Sequence, residues 1–386
     1  MMMSQDTESE IASSMGSTSD MVEPTPLIFH DVILEADELS QPETSSRVIT
    51  GTSISEPDAV LEEDGRTYHG YKGGRYFLPN DPDEQDRLDF QHAMCKLMFD
   101  ERLICAPIVS PSRILDIATG TGIWAIEYAT ENPDATIIGT DLSMISPPNA
   151  VPNFTVVKED SEEDEWGSAA DGPFDYVHLR FVFLCFQDPM RVLRKAFEHL
   201  RPGGWVEYQD PSARLHCVDG SIAGTALERY WELVLEGGRA AGRDFLVAEK
   251  YKAMLEEAGF IDIVEERVPM PSESCARPPF SLSRPLRHIL LARTHAQSHT
   301  ANPWPKEPRL KAVGMFQAKN MFDVCRGLAW KLFRPLGLEV PEIEELVMQT
   351  KLDIPNKQHH CYHWVYVVYG RKPFPDEVAV SVPKAS

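Results

Sequence analysis

The chain has 386 residues, of which 42% are hydrophobic, and a formal net charge of −23 at pH 7. The hydrophobic fraction is sufficient for a packed core, whereas the negative charge argues against nucleic-acid binding, because phosphate recognition needs clustered lysine and arginine. The sequence lacks an apolar run of about 20 residues, and its polar, acidic start differs from a signal peptide, so we expect a cytosolic or nuclear protein without a membrane span.

Residues 1–64 are predicted to form a disordered acidic tail. They are rich in Ser, Thr, Glu, Asp and Pro and contain few aromatic residues, so they cannot bury enough apolar surface to become ordered. Fifteen acidic residues and one basic residue, Arg47, lie within residues 1–65, so much of the net charge belongs to this segment. Two interpretations fit the tail, a regulatory or docking segment and an inert solvated one.

Residues 65–110 combine a cluster of aromatic side chains with a predicted helix. The helix is expected to begin after Asp81, which can cap its N-terminus with Glu84 as the capping-box partner, and to run to about Leu103. The aromatic cluster, which includes Tyr76, either lies beside a ligand or packs on a sheet. The residues alone do not separate these two interpretations.

Residues 113–127 have the pattern of a strand, a glycine turn and a helix start in succession. Gly120 and Gly122 let the backbone approach a ligand without an obstructing Cβ atom, which is typical of a nucleotide-cofactor site. A nicotinamide site would favour glycine at position 125, where this chain has alanine, and a neutral strand end in place of Asp116. A carboxylate at that point suits the ammonium and sulfonium groups of S-adenosylmethionine.

Two further acids follow the next two strands. The strand at residues 135–140 ends in Asp141, whose carboxylate can accept hydrogen bonds from both hydroxyls of a ribose. The strand at residues 153–157 is followed by Asp160, which either accepts from an adenine amino group or belongs to a solvated run of charges. Additional strands are predicted at 174–179, 205–208, 261–268 and 362–370. With the helix at 189–200 this alternation indicates a parallel, doubly wound sheet.

The C-terminal half is predicted to add helices to this sheet. Residues 221–259 are expected to hold two helices split near Gly237-Gly238, and a Pro-rich connection spans residues 269–285. The segment of residues 271–358 is longer than a typical loop, and its residues 307–349 have helical spacing. It is predicted to form a helical insertion that caps a substrate pocket. Its large apolar side chains either line that pocket or form core contacts; they are Met315, Phe316, Met321, Phe322, Trp330 and Phe333. Residues 359–386 supply the final strand and a C-terminal tail.

No metal site is predicted. The seven cysteines are scattered without a C-x-x-C pair and are expected to be reduced and structural. The tract from His359 to His363 opens a strand in which successive residues face opposite ways, which favours structural or pocket-lining roles over metal binding.

The assembled pattern resembles the class I S-adenosylmethionine-dependent methyltransferases, and more narrowly the fungal LaeA-like branch. The resemblance to that branch is carried by the block from Leu78 to Asp89, beside the glycine turn that all such enzymes share, and it covers residues 66–373. It implies an α/β, Rossmann-like sheet of seven strands with the last strand antiparallel, a cofactor-binding core at residues 111–270, and a helical cap insertion.

The resemblance also implies which residues hold S-adenosylmethionine. Asp116, Thr119, Gly120 and Gly122 would line its methionine end, Asp141 would hold the ribose, Asp160 and Ser161 would border the adenine, Arg180 would lie beneath the methionyl group, and Tyr76 would close over the cofactor. The family's frequent first glycine of the turn is Ala118 here, which is tolerable if its φ angle is negative.

Methyl transfer depends mostly on aligning donor and acceptor in a dry pocket, so a strong base is needed only for some acceptors. His178, His216 and His363 are the candidate catalytic residues, and Gln209 and Asp210 also lie near sheet ends in this interpretation. A structural hydrogen-bonding role competes with the catalytic one for each of them, so no base is assigned.

We therefore expect a methyltransferase that uses S-adenosylmethionine to methylate an oxygen or nitrogen atom of a small-molecule natural product in fungal secondary metabolism. The alternative is a LaeA-like regulator of secondary-metabolite gene expression that has a regulatory protein partner. The first interpretation places the chain in the cytoplasm and the second in the nucleus.

Overall fold

The computed structural model describes residues 60–63, 65–71, 76–143, 151–169, 171–272, 305 and 307–380. The predicted acidic tail, apart from residues 60–63, lies outside the described residues, and so does most of the Pro-rich connection.

A mixed sheet forms the centre of the fold and is preceded by a hairpin of β1 (Val60–Glu63) and β2 (Arg66–His69). The strands of the sheet are β3 (Arg113–Ile117), β4 (Thr136–Asp141), β5 (Phe154–Lys158), β6 (Phe174–Arg180), β7 (Leu200–Pro211), the two-residue β8 (His216–Cys217), β9 (Ile261–Pro271) and β10 (Cys361–Arg371). The long strands lie in the order β5-β4-β3-β6-β7-β10-β9, and β8 pairs with one end of β10. Strands β3 to β7 are parallel, whereas β10 is antiparallel to both β7 and β9. The predicted sheet, with its last strand antiparallel, is confirmed.

Helices cover both faces of this sheet and form a separate layer beside it. They are α1 (Pro82–Met98), α2 (Ile123–Glu131), α3 (Pro189–His199), α4 (Ala226–Ala240), α5 (Tyr251–Ala258), α6 (Pro308–Phe333), α7 (Val340–Asp353) and α8 (Pro375–Val380). Apolar side chains of α3 and α5 share one cluster with one face of the sheet, and those of α1 and α2 share another with the opposite face. Because both faces are covered, β3 and β6 are buried along almost their whole length. Helices α4, α6 and α7 share a third cluster, the helical layer.

Helix α1 begins as predicted but differs in two details. The Asp81 carboxylate accepts from the Glu84 backbone amide at 3.1 Å and caps the helix. The Glu84 carboxylate does not complete a capping box, because it accepts two hydrogen bonds from the Arg87 guanidinium, at 2.6 and 2.8 Å. The helix also ends before the predicted Leu103, since Asp100 takes a φ of +54° that no helix continues through.

The predicted break at Gly237-Gly238 is wrong, because α4 runs through both glycines. A Cβ atom on Gly237 would come within 2.8 Å of the backbone oxygen of Leu332, and one on Gly238 within 2.6 Å of the Phe245 ring. The glycines therefore allow close packing of α4 in the helical layer and do not mark a turn.

The apolar residues of the predicted cap have varied surroundings. Met321 and Phe333 are buried in the core of the helical layer, and Phe316 stacks on Phe90 of α1 with ring centroids 4.4 Å apart. Trp330 donates its indole N–H to Glu63 at 2.9 Å, whereas Phe322 is exposed. Among the described helices, none has the length and apolar character needed to cross a bilayer.

Candidate functional site

A cleft opens at the carboxyl ends of β3, β4, β5 and β6, where the strand order reverses direction between β3 and β6. Such switch points are where open α/β sheets bind ligands. The cleft is bounded by the glycine turn after β3, the end of β4, residues 159–162 after β5 and the loop after β6. The segment before α1, and α1 itself, form the opposite wall.

The glycine turn takes three residues with left-handed backbone angles. Ala118, Gly120 and Gly122 have φ values of +56°, +60° and +76°. The negative φ that would make alanine tolerable is not found at Ala118, and an L-residue occupies a conformation that strains its Cβ atom. Gly122 does not line the cleft, and its role is to shape the turn, because a Cβ atom there would lie 2.9 Å from the Phe154 ring.

Asp141 lies at the rim of β4 with its carboxylate beside the glycine turn. One oxygen accepts from the Gly120 amide at 3.0 Å and the other from the Ser143 amide at 2.9 Å. Burial raises the pKa of Asp141 to about 6, while the two amides oppose that shift. The turn and the acid thus form one hydrogen-bonded unit at the floor of the cleft.

Asp116 is buried and does not line the cleft. Its two oxygens are occupied by the Thr119 hydroxyl at 2.5 Å and by Nδ1 of His178 at 2.7 Å. His178 in turn stacks on Trp124 with centroids 3.8 Å apart. In this arrangement Asp116 supports the turn through Thr119, which lines the cleft, whereas Asp116 does not.

The remaining predicted cofactor residues all line the cleft. These are Tyr76, Thr119, Gly120, Asp160, Ser161 and Arg180. The Asp160 carboxylate accepts from the Glu162 amide at 3.0 Å, and the Ser161 carbonyl accepts from the Trp166 indole at 3.1 Å, so the loop after β5 is held in place. Burial raises the pKa of the Tyr76 hydroxyl well above its ordinary value, so the side chain is neutral.

The three candidate catalytic histidines do not line this cleft. His178 is held by Asp116, and His216 stacks on Tyr362 at the β8 end of the sheet, with centroids 5.3 Å apart. His363 is buried against Trp231 with its Nδ1 hydrogen-bonded to the Ser212 carbonyl at 3.0 Å, and burial lowers its pKa to about 4.

Gln209 and Asp210 also lie outside the cleft. Gln209 donates to Glu207 at 2.6 Å. Asp210 accepts from the Tyr251 hydroxyl at 2.5 Å, and burial raises its pKa to about 7. In the described part of the chain, no group of three or more His, Cys, Asp or Glu side chains is arranged to hold a metal ion.

Several cleft residues are not found by sequence reasoning, among them His69, Glu84, Gln91 and Arg243. His69 is buried, its Nε2 accepts from the Tyr76 amide at 3.2 Å, and its Nδ1 has no hydrogen-bond partner among the described residues. Glu84 and Gln91 lie seven residues apart on α1, a spacing of two helical turns that could have indicated a polar buried stripe. Arg243 gives no local signal, because its contacts with the carbonyl oxygens of Leu184 and Cys185 depend on the tertiary fold.

Comparisons with known proteins agree with this geometry. A family model described as a methyltransferase domain matches residues 90–265. The chain is 30% identical over 322 residues to the protein-methionine methyltransferase laeA of Emericella nidulans, covering 83% of this chain and 78% of that one. It is 31% identical over 314 residues to the methyltransferase pytC of Aspergillus terreus, covering 80% and 87%. It is also 29% identical over 332 residues to the secondary metabolism regulator laeA of Aspergillus fumigatus, covering 84% and 80%.

Proposed function

Because this chain belongs to the family of S-adenosylmethionine-dependent methyltransferases that includes laeA and pytC, we propose that it methylates an oxygen or nitrogen atom of a small-molecule natural product. The observation that carries the proposal is the extent of the cleft. From the glycine turn it continues to Tyr76, which packs against the helical layer, and to Cys185 and Phe186, which pack against the cluster shared by α3, α5 and the sheet. An acceptor molecule bound there would lie beside the cofactor and away from bulk water, which is the arrangement that methyl transfer requires.

The residues at the floor of the cleft fit S-adenosylmethionine, which supplies an electrophilic methyl group when it is bound. Gly139 leaves the space that Thr119 occupies, since a Cβ atom there would lie 2.8 Å from that side chain, and both Thr119 and Gly120 line the cleft. We assign the ribose hydroxyls to Asp141 and the methionine end to Thr119, Gly120 and Arg180.

The other assignments concern the two ends of the cofactor. Asp160 and Ser161 are assigned to the border of the adenine, and Tyr76 to the cover over the ligand. Asp116 and Gly122 act indirectly, by holding the turn.

His69 is a better candidate for contact with the acceptor than the histidines outside the cleft. A backbone amide can only donate, so Nε2 of His69 carries the lone pair and Nδ1 carries the proton. In this state the Nδ1–H of His69, which has no partner among the described residues, would donate a hydrogen bond to a bound acceptor, and the ring does not act as a base. An acceptor that is already nucleophilic, such as an amine or a phenolate, suits such a site.

The test is metabolite profiling of the source organism with and without this gene. Accumulation of one desmethyl compound, which the purified protein then methylates with S-adenosylmethionine, is the expected result. The Asp141→Ala protein serves as the control and should methylate that compound more slowly when S-adenosylmethionine is not saturating. Unchanged metabolite profiles and no methylation of any extracted compound would refute the proposal.

A second candidate function is suggested by the names of the laeA relatives, one of which is called a protein-methionine methyltransferase and another a regulator. In that case the deletion would silence several pathways together and leave no single precursor. Incubation with methyl-labelled S-adenosylmethionine would then place the label on methionine side chains of protein, which mass spectrometry detects.

A further inference from the structure

Arg180, at the end of β6, is connected to the two helices on one face of the sheet by a chain of hydrogen bonds. Its Nη2 donates to Nδ1 of His92 on α1 at 2.9 Å, and Nε2 of His92 lies 2.6 Å from Oε2 of Glu127 on α2. The other oxygen of Glu127 accepts from Lys96, one turn further along α1. His92 is only 4% exposed, so its ring is held by these partners and not by water.

The donors and acceptors in this series of hydrogen bonds allow only one protonation state of His92. An arginine guanidinium can only donate, so Nδ1 of His92 must offer a lone pair to it. The proton of the neutral ring is then on Nε2 and is donated to the Glu127 carboxylate. A protonated ring would place an N–H against the Arg180 guanidinium and bring two cations together.

We propose that His92 is a positioning residue that aims the guanidinium of Arg180 at the carboxylate of the bound cofactor, and that it does so only as a neutral imidazole. The proposal rests on the proposed function, because it takes the cleft to be the S-adenosylmethionine site. Within the described residues His92 is the only hydrogen-bond partner of the Arg180 guanidinium, so without it this long side chain has several rotamers open to it. Fixing one of them in advance lowers the entropy lost when the guanidinium pairs with the carboxylate of the ligand.

The charged groups around His92 come from each element packed against it. Arg180 faces it from β6, Glu127 from α2 and Lys96 from its own helix. Burial lowers the pKa of His92 below its ordinary value; Arg180 and Lys96 lower it further, and Glu127 opposes them. The ring is therefore neutral at physiological pH, and protonation in acid removes the acceptor that holds Arg180.

Two substitutions test the roles of the two ring nitrogens of His92 separately. The oxygen of asparagine can occupy the place of Nδ1, so His92→Asn keeps an acceptor for Arg180 but loses the bond to Glu127. The amide nitrogen of glutamine can occupy the place of Nε2, so His92→Gln keeps the donor to Glu127 and loses the contact with Arg180.

Calorimetry with S-adenosylhomocysteine at pH 8 measures the effect of each variant on affinity. His92→Asn should bind within about threefold of the unsubstituted protein. His92→Gln should bind at least about tenfold more weakly, the equivalent of about 1.4 kcal/mol.

The pH dependence gives a second readout that a purely structural role would not change. Asparagine does not titrate, so the affinity of His92→Asn relative to the unsubstituted protein should rise as the pH falls from 8 to 5. Asp141, whose pKa is about 6, titrates in the same range but is present in both proteins and cancels in that ratio. His216→Asn, which changes a histidine outside the cleft, is the matched control and should leave the ratio flat.

Three results would overturn the proposal. Equal affinity of both variants and the unsubstituted protein would show that ligand binding does not depend on the orientation of Arg180 by His92. Weak binding by His92→Asn with normal binding by His92→Gln would show that the tie to Glu127 is the important one. Equal loss in both variants would show that ring packing matters and not the acceptor nitrogen. If the unsubstituted protein itself failed to bind S-adenosylhomocysteine, the cofactor site would be refuted, and this proposal with it.

Discussion

At the scale of single residues, Ala118 has the most strained backbone conformation in the glycine turn. Its φ of +56° belongs to the left-handed region, which costs an L-residue roughly 1–2 kcal/mol. The turn nonetheless keeps this shape, because Thr119 and Gly122 on the same turn are tied by a backbone hydrogen bond of 3.0 Å. The rest of the glycine turn therefore keeps Ala118 in its strained conformation.

Ala118→Gly should relieve that strain. We expect the free energy of unfolding, measured with urea, to rise by about 1 kcal/mol, since part of the gain is offset by the greater entropy of glycine in the unfolded chain. Affinity for S-adenosylhomocysteine should not fall. Ala129→Gly in α2 is the matched control and should lower stability by about 1 kcal/mol, as for glycine in any helix interior. A loss of stability in Ala118→Gly would contradict the assigned strain.

At the scale of elements, packing in the helical layer decides where glycine is required. Gly237 of α4 meets the backbone of Leu332 on α6, and backbone cannot move aside as a flexible side chain can. Gly327, in α6, meets only Pro79, with its nearest atoms at 3.8 and 3.9 Å, which is ordinary contact. Both glycines are helical, so local propensity alone would treat them alike.

The two alanine substitutions should therefore have opposite effects. Gly237→Ala is expected to lower the free energy of unfolding by about 2 kcal/mol, because overpacking at the α4–α6 contact exceeds the gain in helix propensity. Gly327→Ala should raise it by up to about 1 kcal/mol. Urea unfolding of the two variants checks both signs, and a stabilised Gly237→Ala protein would contradict the close approach of the two helices.

The same contrast explains what the sequence could predict. The strands, the glycine turn and the position of Asp141 at a strand end follow from local periodicity, and the structure adds a contact between Asp141 and Gly120. The brace between Asp116 and His178 was not predictable, because it joins two strands 62 residues apart. The same is true of the contact between Arg87 and Asn320, which are 233 residues apart. Local patterns predict elements, whereas buried polar partners are set only when those elements pack.

At the scale of the whole molecule, the sheet order determines where a ligand can bind. Parallel strands β3 to β6 place their carboxyl ends at one edge, so residues distant in sequence, such as Tyr76, Asp141 and Arg180, line one cleft. Buried acids outside the cleft hold the backbone in place. The Glu207 carboxylate, for example, accepts hydrogen bonds from the amides of Cys105 and Ala106. The described residues therefore concentrate the candidate cofactor contacts at a single edge of the sheet.

The most direct test of the account is calorimetric titration of S-adenosylhomocysteine into the purified protein and into Asp141→Ala. We predict saturable binding at one site per chain, weakened about 10–100-fold by the substitution, because hydrogen bonds to a charged group contribute roughly 1.5–3 kcal/mol. Asp134→Ala, which removes an exposed acid just before β4, should leave the affinity unchanged. No binding by the unsubstituted protein, or equal binding by Asp141→Ala, would contradict the assignment of this cleft to the cofactor.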